Sequence, residues 1–203
     1  MKKRIIVFIS GNGSNMVSLA KACEQKEYPA EIAAVICDNP RAAGIEKARH
    51  NNLSVHIVDR KSYPTKEAHE EGIFTVLTQY QPDLLCFAGY MRLISSRFVK
   101  LYEGRILNIH PSLLPSFKGL NTHERVLQAG VKITGCTVHL VTEDMDAGKI
   151  LAQAAVPVCL NDTPESLAQR VLKAEHTLYP QALKTFIEGE NKTVDTRQQL
   201  LSL

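Results

Sequence analysis

Short apolar runs rich in isoleucine and valine alternate, over the first half of the chain, with longer stretches compatible with helices. This alternation is typical of βαβ units built around a parallel sheet. It predicts strands at about residues 4–10, 31–37, 54–58, 83–88 and 105–110, with helices at about 15–26, 42–51, 65–80 and 94–101. Because strand runs such as Ile5–Ile9 and Leu84–Ala88 are continuously apolar, helices should cover both faces of the sheet. We therefore expect an α/β fold with a doubly wound, Rossmann-like, mostly parallel sheet.

The pattern changes after residue 110, where a proline-rich loop begins. A short helix is expected near residues 123–129, and two further strands at about 133–141 and 149–158. Only about seven residues separate these two strands, which is too few for a crossover helix. The sequence therefore predicts an antiparallel strand pair in the C-terminal part.

The last helix has a clear start signal. Thr163 is a favourable N-cap, and Pro164 occupies the first helical position, where its missing N–H carries no cost. We expect this helix to run towards Gly189. The predicted organisation is one domain over residues 1–190, followed by a polar tail over residues 191–203.

Composition excludes several classes of protein. The 203 residues include 24 basic and 21 acidic side chains, a balance too even for a nucleic-acid or anionic-membrane surface, although a local anion site is compatible with it. No stretch approaches the roughly 18 apolar residues that span a bilayer. The five cysteines are widely spaced and odd in number, which favours reduced core residues in the cytoplasm over a disulfide or zinc framework.

Ligands of open parallel sheets bind beyond the carboxyl ends of the strands, and the first such loop is Ser10–Asn15. Its glycines permit a tight turn, and the following helix start can direct N–H groups at a phosphate. A dinucleotide fingerprint would need a third glycine where this chain has Met16. The loop therefore favours a single phosphate, and a purely structural turn is the alternative.

A second strand end carries Asn108 and His110, which share one face of the strand because they are two residues apart. An amide donor can stabilise a developing oxyanion, and the neighbouring imidazole titrates near neutrality. The alternative is a structural histidine with satisfied hydrogen bonds.

A third loop, Thr142–Gly148, places three carboxylates within four residues. Their mutual repulsion would be relieved by a cation such as an imidazolium, although such residues are also ordinary in turns. A metal site at His110, His123 and Asp146 is a rival interpretation, which the absence of any familiar ligand spacing disfavours. Of the remaining histidines, His139 is interpreted as structural, and solvated side chains are expected at His50, His56 and His69.

Together these segments identify the chain as similar to the folate-dependent formyltransferases, and within them to the glycinamide ribonucleotide formyltransferases. The segments that carry the resemblance are Ser10–Asn15, Ala88–Leu93, Leu107–Pro115, Gly119–His123 and Asp144–Gly148. The resemblance covers about residues 4–190 and is most specific in Asn108–Pro115.

The resemblance implies functional residues, which we carry over as expectations. Asn108, His110 and Asp146 would be the catalytic trio. The ribonucleotide would be bound by Gly13, Ser14, Asn15 and Glu175. The folate would contact Lys66, Met91, Arg92, Leu93, Ile94, Asn108, Thr142, Glu143, Asp144, Met145 and Asp146. Two positions depart from the family: Lys66 stands where arginine is frequent and loses bidentate geometry, and Asn121 replaces a usual histidine.

The implied reaction moves a formyl group from 10-formyltetrahydrofolate, a co-substrate, to the amine of the glycinamide ribonucleotide in purine synthesis, without a metal. The partners would be small molecules, and the sequence leaves open whether the protein is a monomer or a homodimer. One alternative is a formyltetrahydrofolate hydrolase, which would carry an additional N-terminal domain. Methionyl-tRNA formyltransferase would carry an additional C-terminal one. We expect neither, because Met1 lies three residues before the first predicted strand and about 14 residues follow Gly189. A non-catalytic Rossmann-like nucleotide-binding module remains a further alternative.

Overall fold

The computed structural model describes residues 1–189. They fall into two compact units, one over Met1–Asn108 and one from Ile109 onwards. The predicted polar tail at 191–203 lies outside the described residues, and the boundaries of the predicted domain remain a prediction.

The first unit is an alternation of strands and helices. Its elements are β1 (Lys3–Ile9), α1 (Ser14–Cys23), β2 (Ala30–Cys37), α2 (Gly44–His50), β3 (Val55–Ile57), a 3₁₀ turn (Arg60–Ser62), α3 (Lys66–Tyr80), β4 (Leu84–Phe87), α4 (Ser96–Leu101) and β5 (Ile106–His110), whose last two residues belong to the second unit. The strands are hydrogen-bonded in the order β3-β2-β1-β4-β5, and the four pairings are all parallel. The strand order reverses at β1, as in other doubly wound sheets.

Strand β1 lies at the centre of this sheet, between β2 and β4. The five consecutive residues Ile5–Ile9 are fully buried. Because successive side chains of a strand point to opposite faces, both faces of the sheet are covered. This is the outcome expected from the continuous apolar runs.

The second unit contains the C-terminal elements. These are α5 (Thr122–Ala129), β6 (Ile133–Leu140), β7 (Ile150–Pro157) and α6 (Pro164–Glu188). Strands β6 and β7 pair antiparallel from Ile133 opposite Pro157 onwards, so that prediction is confirmed. Helix α6 begins with a capping box in which Thr163 and Ser166 bond each other's backbone N–H groups, and Pro164 is its first residue.

The fold class is therefore the predicted one, a Rossmann-like, mostly parallel α/β arrangement with an antiparallel C-terminal strand pair. Two cysteines differ from expectation. Cys23 is half-buried on helix α1 and Cys159 is exposed, whereas Cys37, Cys86 and Cys136 are buried. All five are free thiols.

Candidate active site

A buried histidine–aspartate pair lies in the second unit. Nδ1 of His110 is 3.4 Å from Oδ2 of Asp146, and the two side chains are only 8% and 11% exposed. The same Oδ2 accepts the N–H of Gly119 at 2.9 Å, while the Nε2–H of His110 donates to the carbonyl of Phe117 at 3.0 Å. Each ring nitrogen of His110 thus faces an oxygen atom, Nδ1 that of the Asp146 carboxylate and Nε2 that of the Phe117 carbonyl.

A second histidine, His139, flanks the same carboxylate. Its Nε2 is 3.6 Å from Oδ1 of Asp146, and its Nδ1–H donates to the carbonyl of Leu140 at 2.9 Å. Burial lowers the pKa of His139 and outweighs the opposing effects of the Leu140 carbonyl and Asp146. Burial therefore favours the neutral form of His139 relative to a free imidazole.

The chain that follows His110 is fixed by polar side chains of the strand pair. Thr137 is fully buried on β6. Its hydroxyl donates to the carbonyl of Ser112 and accepts the N–H of Leu114. Gln153 on β7 donates to the carbonyl of Leu114 as well as to Thr137. Ser112 in turn donates to the carbonyls of Ser116 and Phe117, so the carbonyl that His110 meets is held in place.

The glycine loop after β1 turns directly into helix α1. Gly13 adopts φ +72°, in the left-handed region that favours glycine, and no side chain caps the helix start. The backbone also passes close to a neighbouring helix. A Cβ atom at Gly13 would lie 2.8 Å from the Cα of Gly44, and the Gly44 N–H donates to the carbonyl of Gly11. The loop thus combines a tight turn with an uncapped helix N-terminus, the combination that binds phosphate in other proteins.

A cationic pocket of about 180 Å³ lies elsewhere in the first unit. Its lining includes Arg60, Lys66 and Arg92 together with the apolar Leu93 and Ile94. Arg60 is oriented by a hydrogen bond to the carbonyl of Tyr63. Within residues 1–189, neither Arg60 nor Lys66 forms an ion pair with a carboxylate. The pocket therefore offers positive charge to an anionic ligand beside an apolar wall.

The irregular segment Met91–Ser95, which carries part of this lining, is held at three points. Ser10 accepts the N–H of Met91 at 2.9 Å, and Asp38 accepts Nε–H of Arg92. Glu70 accepts both the backbone N–H and the hydroxyl of Ser95. Asp38 and Glu70 are buried, at 2% and 4% exposure. The segment is therefore pre-organised although it has no regular secondary structure.

The structure places the predicted site residues in both units. Asn108 is half-buried on β5 and Glu175 is buried on α6. Of the three carboxylates in the 142–148 loop, Glu143 and Asp144 are exposed, and Asp146 is the one that meets His110. The imidazole contact that the sequence predicted for this loop is thus made by Asp146.

Several important residues were missed or misread in the sequence. His69, expected to be solvated, is buried and contacts the carbonyl of Val58 through Nε2, because the amphipathic turn of α3 directs it inward. His139, interpreted as structural, is indeed buried, but its proximity to Asp146 was not expected from the sequence. Asp38 and Glu70 gave no sequence signal beyond an acidic residue at a strand end and one within a helix.

Residues 1–189 hold no group of three or more histidine, cysteine, aspartate or glutamate side chains with the geometry of a metal site. Among the helices of the described part, none is both long and apolar enough to cross a bilayer.

The parallel sheet of the first unit and the buried His110–Asp146 pair of the second are features of an α/β enzyme that acts on small molecules. The chain belongs to the formyl transferase family, whose model matches residues 3–183.

The relatives of the chain include stand-alone and multifunctional enzymes. A bovine protein (Bos taurus) named trifunctional purine biosynthetic protein adenosine-3 is 46% identical over 93% of this chain. The chain spans 19% of the length of that relative. Phosphoribosylglycinamide formyltransferase of Escherichia coli is 38% identical over 93% of this chain and 89% of its own length. The crystal structure of phosphoribosylglycinamide formyltransferase from Brucella melitensis is 56% identical, with a TM-score of 0.89, and the match covers 93% of this chain and 97% of that one.

Proposed function

We propose that this chain transfers the formyl group of 10-formyltetrahydrofolate to the amine of 5′-phosphoribosylglycinamide, a step in purine synthesis. Membership of the formyl transferase family supports the reaction class. The names of relatives that match almost end to end, from Escherichia coli and Brucella melitensis, support the acceptor. The structural observation that carries the proposal is the buried His110–Asp146 pair.

The reaction requires an amine to attack the formyl carbon. A C–N bond to the glycinamide nitrogen forms, the carbonyl oxygen becomes an oxyanion, and collapse of this tetrahedral intermediate breaks the C–N bond to the folate. One proton must pass from the attacking nitrogen to the departing folate nitrogen. A donor near the oxyanion and a route for the proton are therefore the essential requirements.

Three residues supply the stabilisation of the oxyanion. The side-chain amide of Asn108 and the Nε2–H of His110 are donors for the oxyanion. In the free chain the Nε2–H of His110 is bonded to the Phe117 carbonyl, and an anionic oxygen is the stronger acceptor. Asp146 holds the imidazole through Nδ1 and stabilises its charged form. No covalent enzyme intermediate is needed.

The folate is assigned first to the cationic pocket of the first unit. The two carboxylates of its glutamate complement the cationic pocket, with Lys66 and Arg92 as contacts. Its ring system would lie against Met91, Leu93 and Ile94, two of which are highly exposed apolar side chains. Asn108 on β5 and the Thr142–Asp146 loop are further proposed contacts of the folate, and Thr142, Glu143, Asp144 and Met145 of that loop are exposed.

The ribonucleotide is assigned to two other regions. Its phosphate would bind the N–H groups at the start of α1, where Gly13, Ser14 and Asn15 form the turn. Glu175 would contact the glycinamide or the ribose. Burial is the main cause that raises the pKa of the nearby Cys136 thiol to about 12, and Glu175 adds to this rise.

We place the enzyme in the cytoplasm, as a protein with small-molecule partners and no nucleic-acid partner. Its five free cysteines and nearly balanced charge support this placement. A monomer and a homodimer are both compatible with the reaction.

A direct assay tests the function. The purified chain is incubated with 10-formyltetrahydrofolate and the glycinamide ribonucleotide, and the formylated product is measured by mass spectrometry. Transfer that requires both substrates and is lost in Asp146→Asn supports the proposal. Absence of product with the folded wild-type chain would refute it.

Two rival functions give distinct results in the same experiment. A formyltetrahydrofolate hydrolase would release formate at an undiminished rate when the amine is omitted. A non-catalytic nucleotide-binding module would bind NAD tightly in calorimetry without transferring the formyl group. The glycine loop favours a single phosphate over NAD, because Met16 stands where a dinucleotide site needs glycine.

A further inference from the structure

We propose that Asp38 is a positioning residue, which fixes the guanidinium of Arg92 so that the cationic pocket selects folates that carry a glutamate carboxylate. This inference rests on the proposed function, because it takes the folate to be the ligand of that pocket. It concerns a residue outside the family motifs that identified the site.

The environment of Asp38 is unusual for a carboxylate. Asp38 follows strand β2, and its side chain is only 1% exposed. Oδ2 accepts the Nε–H of Arg92, whereas Oδ1 is buried without a hydrogen-bond partner among residues 1–189. A buried acceptor left unpaired costs free energy, and it calls for a physical explanation.

The pairing leaves most of the Arg92 guanidinium available. Arginine carries five N–H donors in one plane, and only the Nε–H of Arg92 has a partner in the described part of the chain. The side chain remains 45% exposed and lines the pocket beside Arg60 and Lys66. The terminal N–H groups are therefore held in one orientation with free donors, the geometry that binds a carboxylate bidentately.

Asp38 must act by orientation, because its charge opposes anion binding. A long, exposed arginine loses side-chain entropy when a ligand immobilises it. Anchoring of Nε in the free chain removes part of that cost before the folate binds. Lys66, with a flexible point charge in the same pocket, cannot supply this fixed geometry, whereas the anchored guanidinium of Arg92 can.

The decisive variants are Asp38→Ala and Asp38→Asn. Alanine removes both the charge and the acceptor, whereas asparagine keeps an oxygen that can accept the Arg92 Nε–H. We expect Asp38→Ala to raise the KM for 10-formyltetrahydrofolate about three- to tenfold, the cost of immobilising one long side chain, with little change in kcat. The KM of Asp38→Asn should lie at or below the wild-type value, because the orientation of the Arg92 guanidinium survives and the negative charge that opposes anion binding is gone.

Two comparisons separate this role from a general loss of structure. The KM for 10-formyltetrahydropteroate, which lacks the glutamate, should be unaffected by Asp38→Ala. In an Arg92→Ala background, Asp38→Ala should add no further increase in the KM for the glutamyl substrate. Thermal unfolding of each variant establishes that it is folded.

Three results would overturn the inference: an unchanged KM in Asp38→Ala, an equal penalty with the pteroate, or a penalty in Asp38→Asn as large as in Asp38→Ala. Failure of the proposed function is recognised separately, as absence of transfer by the wild-type chain. In that case calorimetry with tetrahydrofolate and tetrahydropteroate decides. The inference stands if Asp38→Ala weakens only the glutamyl ligand, and it falls if both ligands are affected equally or neither binds.

Discussion

Oδ2 of Asp146 lies 3.4 Å from Nδ1 of His110. The same oxygen accepts the N–H of Gly119, so the carboxylate cannot turn away from the imidazole without losing a backbone hydrogen bond. Both side chains are largely buried, where electrostatic interactions are stronger than in water. The relationship fixes the histidine ring at the end of β5, the strand that also carries Asn108.

The first prediction concerns the chemical step. We expect His110→Ala or Asp146→Asn to lower kcat by a factor of about 10² or more, the range typical of acid–base and oxyanion groups. The KM for each substrate should change far less, because neither pocket is altered. Steady-state kinetics measures both constants. His50→Ala, at an exposed histidine of α2, is the matched control. A kcat close to wild type in either variant would remove that residue from the mechanism.

The sequence predicted the fold in most of its detail because burial leaves a strong pattern. Continuous apolar runs specified the parallel strands, and the short connection between the last two strands specified their antiparallel pairing. Helix ends were less certain, since α1 ends at Cys23 and not near residue 26. Apolar patterning is a weak guide to helix termini, which depend on local capping.

The site was only partly visible in the sequence. The spacing of Asn108 and His110 on one strand, together with the acidic loop, indicated the catalytic residues. Asp38 and Glu70 act through contacts with residues far along the chain, and His139 acts through a contact with the carboxylate of a loop that folds back onto its strand. A single sequence gives no signal for such contacts, because an isolated buried carboxylate or histidine looks the same as an exposed one until its partner is known.

Glu70 provides the second prediction. Its carboxylate is buried and accepts two hydrogen bonds from Ser95. In Glu70→Gln the amide NH₂ replaces one acceptor and faces a donor, and an unsatisfied buried group costs about 1–3 kcal/mol. We expect the KM for the formyl folate to rise threefold or more, because the Met91–Ser95 segment is released, while the KM for the ribonucleotide stays unchanged.

The neighbouring Glu71 supplies the control for this experiment. It lies on the same helix but is exposed, and it forms a surface ion pair with Arg97. Such pairs contribute little to stability, so Glu71→Gln should have kinetics close to wild type. An equal rise of both KM values in Glu70→Gln would indicate a general loss of structure instead of release of the folate-binding segment.

The third prediction compares two glycines of the same loop. Gly13 has φ +72° and lies close to Gly44. Gly11 does not have a positive φ, and a Cβ atom added there would have no other atom within 4 Å. Gly13→Ala should lower the free energy of unfolding by about 1–2 kcal/mol from the left-handed conformation alone, with the contact to Gly44 adding to the loss. Gly11→Ala should leave it nearly unchanged. Urea unfolding measures both, and equal stability of the two variants would contradict the structure.

The last prediction is the dependence of stability on pH. Burial, together with the positive charges of His110 and Lys118, lowers the pKa of His139 against the opposing Leu140 carbonyl and Asp146. Burial and then His110 also lower the pKa of His123. A histidine whose pKa is lower in the folded state binds its proton first in the unfolded state, where the value is about 6.5. The free energy of unfolding is therefore unaffected by these groups well above pH 6.5. It falls as the pH drops from about 6.5 towards their folded values, below which both states are protonated.

Urea midpoints measured from pH 8 to pH 5 should decrease in the wild type. The decrease should be smaller in His139→Gln and in His123→Gln, while the exposed control His50→Gln should follow the wild-type curve. A profile as steep in both buried-site variants as in the wild type would mean that neither histidine is held neutral by the fold.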